Sequence, residues 1–129
     1  LIMQKKCGVF RTQELIKNGI EEFDKAENSM ENINIQDKSL IFNTDLTEAL
    51  ELYNLTAQSK VTLHSALNRK ETRGAHARED YSERGDENWL VHSLAWLTKK
   101  GEVKLGARPV HMNTLTNHVQ SIPPKKRVY

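Results

Sequence analysis

Apolar residues recur along this chain with two different periods, and the period changes near residue 89. From Thr12 onward, Ile16, Ile20, Phe23, Glu27 and Met30 step by three or four, with Leu15 and Ala26 beside the stripe. That spacing predicts one face of a helix of roughly twenty residues. Thr12 is the expected N-cap, with Gln13 and Glu14 in the first turn. Gly19 should weaken this helix by about 1 kcal/mol relative to alanine. Residues 32–44 hold no sustained period and read as a connection.

A second long helix is expected to start near Asn43–Asp45, where Asp45 and Glu48 have capping-box spacing. One stripe is Leu46, Leu50, Tyr53, Ala57, Val61 and His64; the other is Leu52, Leu55, Ser59, Leu63 and Ala66. Two stripes predict burial on two sides. No Gly or Pro interrupts residues 43–73, so the helix is expected to run to a left-handed cap at Gly74. Beyond it, residues 79–88 are polar and turn-like. WLVHSLAWL, residues 89–97, and VKLGARPV, residues 103–110, flank TKKGE. They predict a β-hairpin turning at Gly101, with Pro109 at an edge or strand end. Pro123 and Pro124 make the tail extended. The expected fold is mainly α: a helical bundle over residues 1–78, with a loop, hairpin and tail over residues 79–129 packed on it as one structural domain.

Composition narrows the function classes. The 129 residues carry a net charge of +2 and one cysteine, Cys7. So small a net charge does not imply a nucleic-acid partner. A lone thiol allows no internal disulfide and fits a reducing compartment. No apolar run approaches a membrane span, so a soluble chain is expected. Leu1-Ile2-Met3 reads like the middle of a helix, and a piece of a longer chain is expected. No run of residues completes a dinucleotide fingerprint or a P-loop motif, and the nearest two histidines are seven apart. FAD, NAD or ATP binding in those standard ways and a metal site are therefore not expected. His64 and His92 read as structural, and Cys7, near a helix end, as an inert buried thiol. PPKKRV near the C-terminus could be a nucleic-acid clamp, but a tail docked through its backbone and Tyr129 is the preferred reading.

RKETRGAHARED, residues 69–80, is the densest stretch of charge. Two readings stand level. In one, Arg69 and Arg73 lie a turn apart and answer the free carbonyls of a helix that ends at Gly74. In the other, Arg73, His76 and Arg78 reach toward another domain.

NTDLTEALELYNL, RKETRGAHAREDYSERGDENWLVHSLAW, VKLGARPV and IPPKKRVY occur in that order. Together they resemble the C-terminal domain of the succinate dehydrogenase flavoprotein family, with fumarate reductase as the near relative. L-Aspartate oxidase shares a version of the arginine-glycine-histidine segment. Thr72 stands where the family more often has serine. The resemblance implies a spectrin repeat-like three-helix bundle followed by an extended region with short strands, the first helix being Leu1–Val9. It implies a parent enzyme that oxidises succinate to fumarate on covalent FAD and passes electrons to an iron–sulfur subunit and quinone. The family's FAD-binding fold and catalytic residues lie upstream, so no catalytic, cofactor-binding or metal-binding residue is carried onto this chain. The expected role is bracing the FAD-binding and capping domains and facing the iron–sulfur subunit, with membrane anchor subunits as indirect partners and no nucleic acid. The expected place is the cytoplasmic face of a bacterial inner membrane or the mitochondrial matrix face. The candidate interface residues are Arg69, Arg73, Gly74, His76, Arg78, Arg108, Lys126, Arg127 and Tyr129. Arg73, His76 and Arg78 are expected to lack partners within this chain, and Trp89 and Trp96 to be partly exposed. A fumarate reductase domain, or a basic nucleic-acid module, are the alternatives.

Overall fold

The computed structural model describes residues 1–125. Three helices make the body: α1 (Ile2–Lys6), α2 (Gln13–Ser29) and α3 (Thr44–Asn68). A 3-10 turn over Met30–Asn32 follows α2. Two-residue strands β1 (Phe10–Arg11) and β2 (Ala77–Arg78) pair in parallel. A single turn, α4 (Asp86–Trp89), leads into the antiparallel hairpin of β3 (Val91–Leu97) and β4 (Val103–Pro109), which packs on α3. Helix therefore dominates, with two small sheets, in agreement with the expected helical domain and hairpin.

The α2 reading holds in detail. Thr12 Oγ1 accepts the Leu15 amide at 3.1 Å, and Ile16, Gly19 and Phe23 form the buried stripe. These residues pack with Cys7, Leu63 and Ala66, and Ile2, Met3, Ile20 and Leu67 close the core around them. Ile16 and Leu63 are essentially without solvent contact. Complete burial of such a side chain stabilises the fold by about 1.5–3 kcal/mol. Gly19 is a contact point: a Cβ there would lie 2.6 Å from Lys6 Cβ, so its missing side chain lets α1 cross α2 closely. Cys7 caps α1, and burial pushes its thiol pKa up against the nearby charge of Arg11.

Three expectations change. α3 is capped by Asn43, whose Oδ1 accepts the Leu46 amide at 2.8 Å. Asp45 instead takes the amides of Gln36 and Asp37 from the preceding connection. α3 stops at Asn68, five residues before the expected end, so Arg69 and Arg73 are not one helical turn apart. Gly74 does adopt a left-handed φ of +59°, but in the turn between Arg73 and His76. Finally, α3 buries only its C-terminal part among the described residues. Leu63 and Ala66 are inside, whereas Leu46, Leu50, Leu52, Tyr53 and Leu55 face solvent.

The hairpin forms where it was expected. Val91 pairs with Pro109 and Leu97 with Val103, and Gly101 turns the chain at φ +78°. Trp89 belongs to α4 and not to the strand. Trp96 lies against Gly106, where a Cβ would come within 3.0 Å of the ring, and is 54% exposed. Residues 110–125 carry no helix or strand, in line with an extended tail.

Candidate functional site

The charged stretch after α3 is an extended loop folded around one carboxylate. Glu71 is fully buried, although sequence reasoning passed over it. Its Oε1 accepts Arg69 Nε at 2.8 Å and Arg73 Nε at 2.9 Å. Its Oε2 accepts Arg73 Nη2 at 3.1 Å and the Gly85 amide at 2.9 Å. Burial alone would raise the Glu71 pKa; the bonds from Arg73, Gly85 and Arg69 outweigh it, and the net shift is downward. Glu71 is therefore a fixed anion with every lone pair in use.

Ion pairs extend from it in both directions. Arg69 also donates from Nη1 to the Val91 carbonyl (3.0 Å) and Ser93 Oγ (2.9 Å), and from Nη2 to the Trp89 carbonyl (2.6 Å). Its guanidinium lies 5.8 Å from the Trp89 ring centroid. Arg69 thus ties the end of α3 to the start of the hairpin. Arg73 Nη2 reaches Asp86 Oδ1 at 2.6 Å, and Arg84 holds Asp86 Oδ2 at 2.7 Å. Arg84 Nη1 in turn donates to the Lys125 carbonyl at 2.6 Å, pinning the tail to the loop.

A second centre joins two helix ends. Arg78, 1% exposed, forms two parallel bonds to Asp80, each 2.8 Å. Its Nη1 donates to the carbonyls of Ala66 (2.9 Å), Leu67 (3.3 Å) and Arg69 (3.3 Å), which α3 leaves free where it ends. Asp80 Oδ2 accepts the Gln13 amide at 2.7 Å, at the start of α2. A cation meets the negative end of one helix and its own counterion meets the positive end of the other. The Arg78 bonds hold the Asp80 carboxyl down at about 2, against a smaller desolvation effect and with help from the Gln13 amide. Thr72 Oγ1 completes the loop, contacting the carbonyls of Arg78 and Tyr81 and accepting the Arg78 amide.

These contacts sort the candidate interface residues. Arg78 faces inward with its counterion supplied by this chain, so the expectation that it lacks a partner is overturned. Arg73 is likewise paired within the chain, its side chain 26% exposed. His76 is half-buried and uses both ring nitrogens: Nδ1 meets Arg11 Nη1 and Nε2 meets the Arg69 carbonyl, both at 3.0 Å. Gly74 is exposed, and Arg108 stands exposed on β4 opposite His92. Lys126, Arg127 and Tyr129, with the expected Tyr129 anchor, lie outside the described residues. Sequence reasoning missed Arg11, Glu71, Asp80, Arg84 and Asp86. One available clue was the spacing of the pairs Arg69/Glu71/Arg73, Arg78/Asp80 and Arg84/Asp86. Charges two residues apart do not meet on a helix but share one side of an extended chain.

Among the described residues, no group of three or more His, Cys, Asp or Glu could hold a metal ion, and no helix is long and apolar enough to cross a membrane. The paired carboxylates and the doubly bonded histidine make this arrangement suited to holding segments together.

Comparison with known proteins gives this geometry a context. Residues 1–129 match the family model described as fumarate reductase flavoprotein C-term. The mitochondrial succinate dehydrogenase [ubiquinone] flavoprotein subunit of Oryza sativa subsp. japonica is 52% identical, over 99% of this chain and 20% of its own length. The succinate dehydrogenase flavoprotein subunit of Rickettsia bellii is 50% identical, over 98% of this chain and 21% of its own. Among solved structures, a quinol fumarate reductase chain from E. coli aligns with a TM-score of 0.86 at 36% identity, over 99% of this chain and 21% of that one. The chain thus spans about a fifth of the length of the relatives it matches.

Proposed function

This chain belongs to the family of fumarate reductase flavoprotein C-terminal domains, and from that premise we propose that it is the non-catalytic brace of a succinate dehydrogenase flavoprotein subunit. The parent would oxidise succinate to fumarate on FAD held by its other domains, then pass electrons to an iron–sulfur subunit and quinone at the membrane. In this reading residues 1–78 and 79–129 act as one structural domain without flavin or activity of its own. The dehydrogenase is favoured over the reductase by identities of 52% and 50% against 37% and 38%.

The observation that carries the proposal is apolar surface without cover. Leu40 is 100%, Ile41 76% and Phe42 95% exposed, and Leu46, Leu50 and Tyr53 are exposed at helical spacing in the first half of α3 that follows. Contiguous exposed apolar surface marks a contact site. The charged loop at the other end of α3 is paired within the chain, so it would set the shape of the domain while Leu40–Phe42 and the front of α3 meet the FAD-binding and capping domains.

Phe42→Glu and Leu50→Glu test this in the intact flavoprotein subunit and in the chain alone. Both substitutions should leave the chain's unfolding free energy within about 0.5 kcal/mol of the parent. In the intact subunit both should cut flavin content and succinate-dependent dye reduction. Normal flavin and activity in both variants would remove the proposal. So would flavin absorbance or dye reduction by the chain itself.

A further inference from the structure

The ion-pair network leaves out Arg11. Among the described residues, Arg69, Arg73, Arg78 and Arg84 each have a carboxylate partner, whereas Arg11 and Arg108 have none. Arg108 stands exposed on a strand, where water satisfies it. Arg11 is half-buried at the end of β1. Its Nε donates to the Gly8 carbonyl at 2.7 Å and its Nη1 meets His76 at 3.0 Å, while Nη2 has no acceptor among the described residues. Nη2 is not sealed from water, since no buried side-chain nitrogen among the described residues lacks a partner, so an incoming acceptor can reach it.

Beside it runs an open groove of about 360 Å³. Arg11, Thr62, Ser65, Arg69, His76 and Ser93 line it, and no carboxylate does. Ser93 Oγ already accepts from Arg69, so its proton is free to be given to a ligand. The Ser65 hydroxyl has no partner among the described residues, whereas Thr62 spends its proton on the Gln58 carbonyl. His76 is held neutral: Arg11 donates to Nδ1, so the ring proton sits on Nε2 and goes to the Arg69 carbonyl. Its pKa is lowered first by burial, then by the charges of Arg11, Arg78 and Arg69, against the Arg69 carbonyl. Glu71 and Asp80 offset Arg69 and Arg78, but among the described residues no carboxylate pairs with Arg11.

We infer that this groove is a carboxylate-binding site, with Arg11 Nη2 as the charged donor and the hydroxyls of Ser65 and Ser93 as neutral ones. One uncompensated positive charge matches a monoanion better than a phosphate dianion, and a guanidinium edge matches a planar carboxylate. The source is either an Asp or Glu side chain of another polypeptide segment or a small free acid. This inference rests on the residues of this chain and stands apart from the family reading.

The His76 ring resonances report on the site by NMR. Sodium acetate is titrated against sodium chloride at matched ionic strength, alongside a blocked Gly-Glu-Gly peptide. Acetate should give a saturable shift that chloride does not, and should raise the apparent His76 pKa by cancelling the Arg11 charge. Arg11→Gln should weaken acetate binding by about tenfold or more, equivalent to about 1.4 kcal/mol. Ser93→Ala should weaken it by about threefold with unchanged circular dichroism. Tighter binding of the peptide identifies a polypeptide carboxylate as the source; equal binding identifies a small acid. The inference is overturned if chloride reproduces the shift, if the acetate shift does not saturate, or if folded Arg11→Gln binds as the parent does. Should Arg11→Gln fail to fold, Ser93→Ala and the acetate–chloride contrast decide alone, and unchanged acetate binding in Ser93→Ala overturns the assignment.

Discussion

Replacing Glu71 with glutamine removes one charge and almost no volume, yet it should be among the most damaging single changes in this chain. The carboxylate is fully buried between Arg69 and Arg73, whose side chains are 14% and 26% exposed. Glutamine keeps one acceptor but turns an NH₂ toward a guanidinium, donor against donor. Removing one partner of a buried ion pair costs about 3–5 kcal/mol. Partial access of water to both arginines places Glu71→Gln at the lower end, about 3 kcal/mol. For a domain of this size that is a fall of roughly 10 °C in unfolding midpoint. Glu22→Gln is the control: Glu22 pairs with Lys6 at 2.9 Å but is 47% exposed, so its loss should cost under about 0.5 kcal/mol. Urea unfolding followed by circular dichroism measures both. The Glu71 pKa is depressed in the fold, so its contribution is complete above the unfolded value and is lost as pH falls through the folded one. The gap between parent and Glu71→Gln should therefore be widest near neutrality and shrink in acid. A neutral-pH cost for Glu71→Gln no larger than that of Glu22→Gln would refute the claim that this carboxylate organises the loop.

Further expectations follow from individual contacts. Asp80→Asn leaves Arg78 buried without its counterion and should cost about 3 kcal/mol by urea unfolding. Because the folded Asp80 pKa is depressed from 3.8 to about 2, that cost should persist above pH 4 and fade as pH drops toward 2. Gly19→Ala should destabilise, against the helix-propensity gain of about 1 kcal/mol, because the new Cβ meets Lys6 Cβ; a rise in thermal midpoint would show that α1 yields. Gly74→Ala meets no neighbour and should cost only the left-handed backbone penalty, about 1 kcal/mol in the same assay. Cys7 should react with a thiol reagent only at the rate of unfolding, since it is buried and its pKa is raised.

The two halves of the chain were not equally legible. α2 and the hairpin follow from local rules: a Thr12 cap, apolar residues at helical spacing, two strand-forming runs and a turn glycine at 101. The end of α3 does not. No Gly or Pro marks Asn68; the free carbonyls are claimed by Arg78, ten residues further on, and only the folded loop places it there. The apolar front of α3 was read from its period as buried on two sides, yet Leu46, Leu50 and Tyr53 face solvent; a period reports which residues share a face and not what lies against it. Within RKETRGAHARED, a search for charge found the arginines and overlooked Glu71, since a lone acid among many gives no local sign of burial. The charge alternation at every second residue was the one readable sign that the segment is extended.

If Leu40–Phe42 and the front of α3 are a contact surface completed by the rest of a flavoprotein subunit, they should be covered there. Hydroxyl-radical labelling of Phe42, Leu50 and Tyr53, read by mass spectrometry in the chain alone and in the intact subunit, measures that cover residue by residue. Strong labelling in the chain and protection of all three residues in the subunit is the predicted result. Equal labelling in both would contradict the claim.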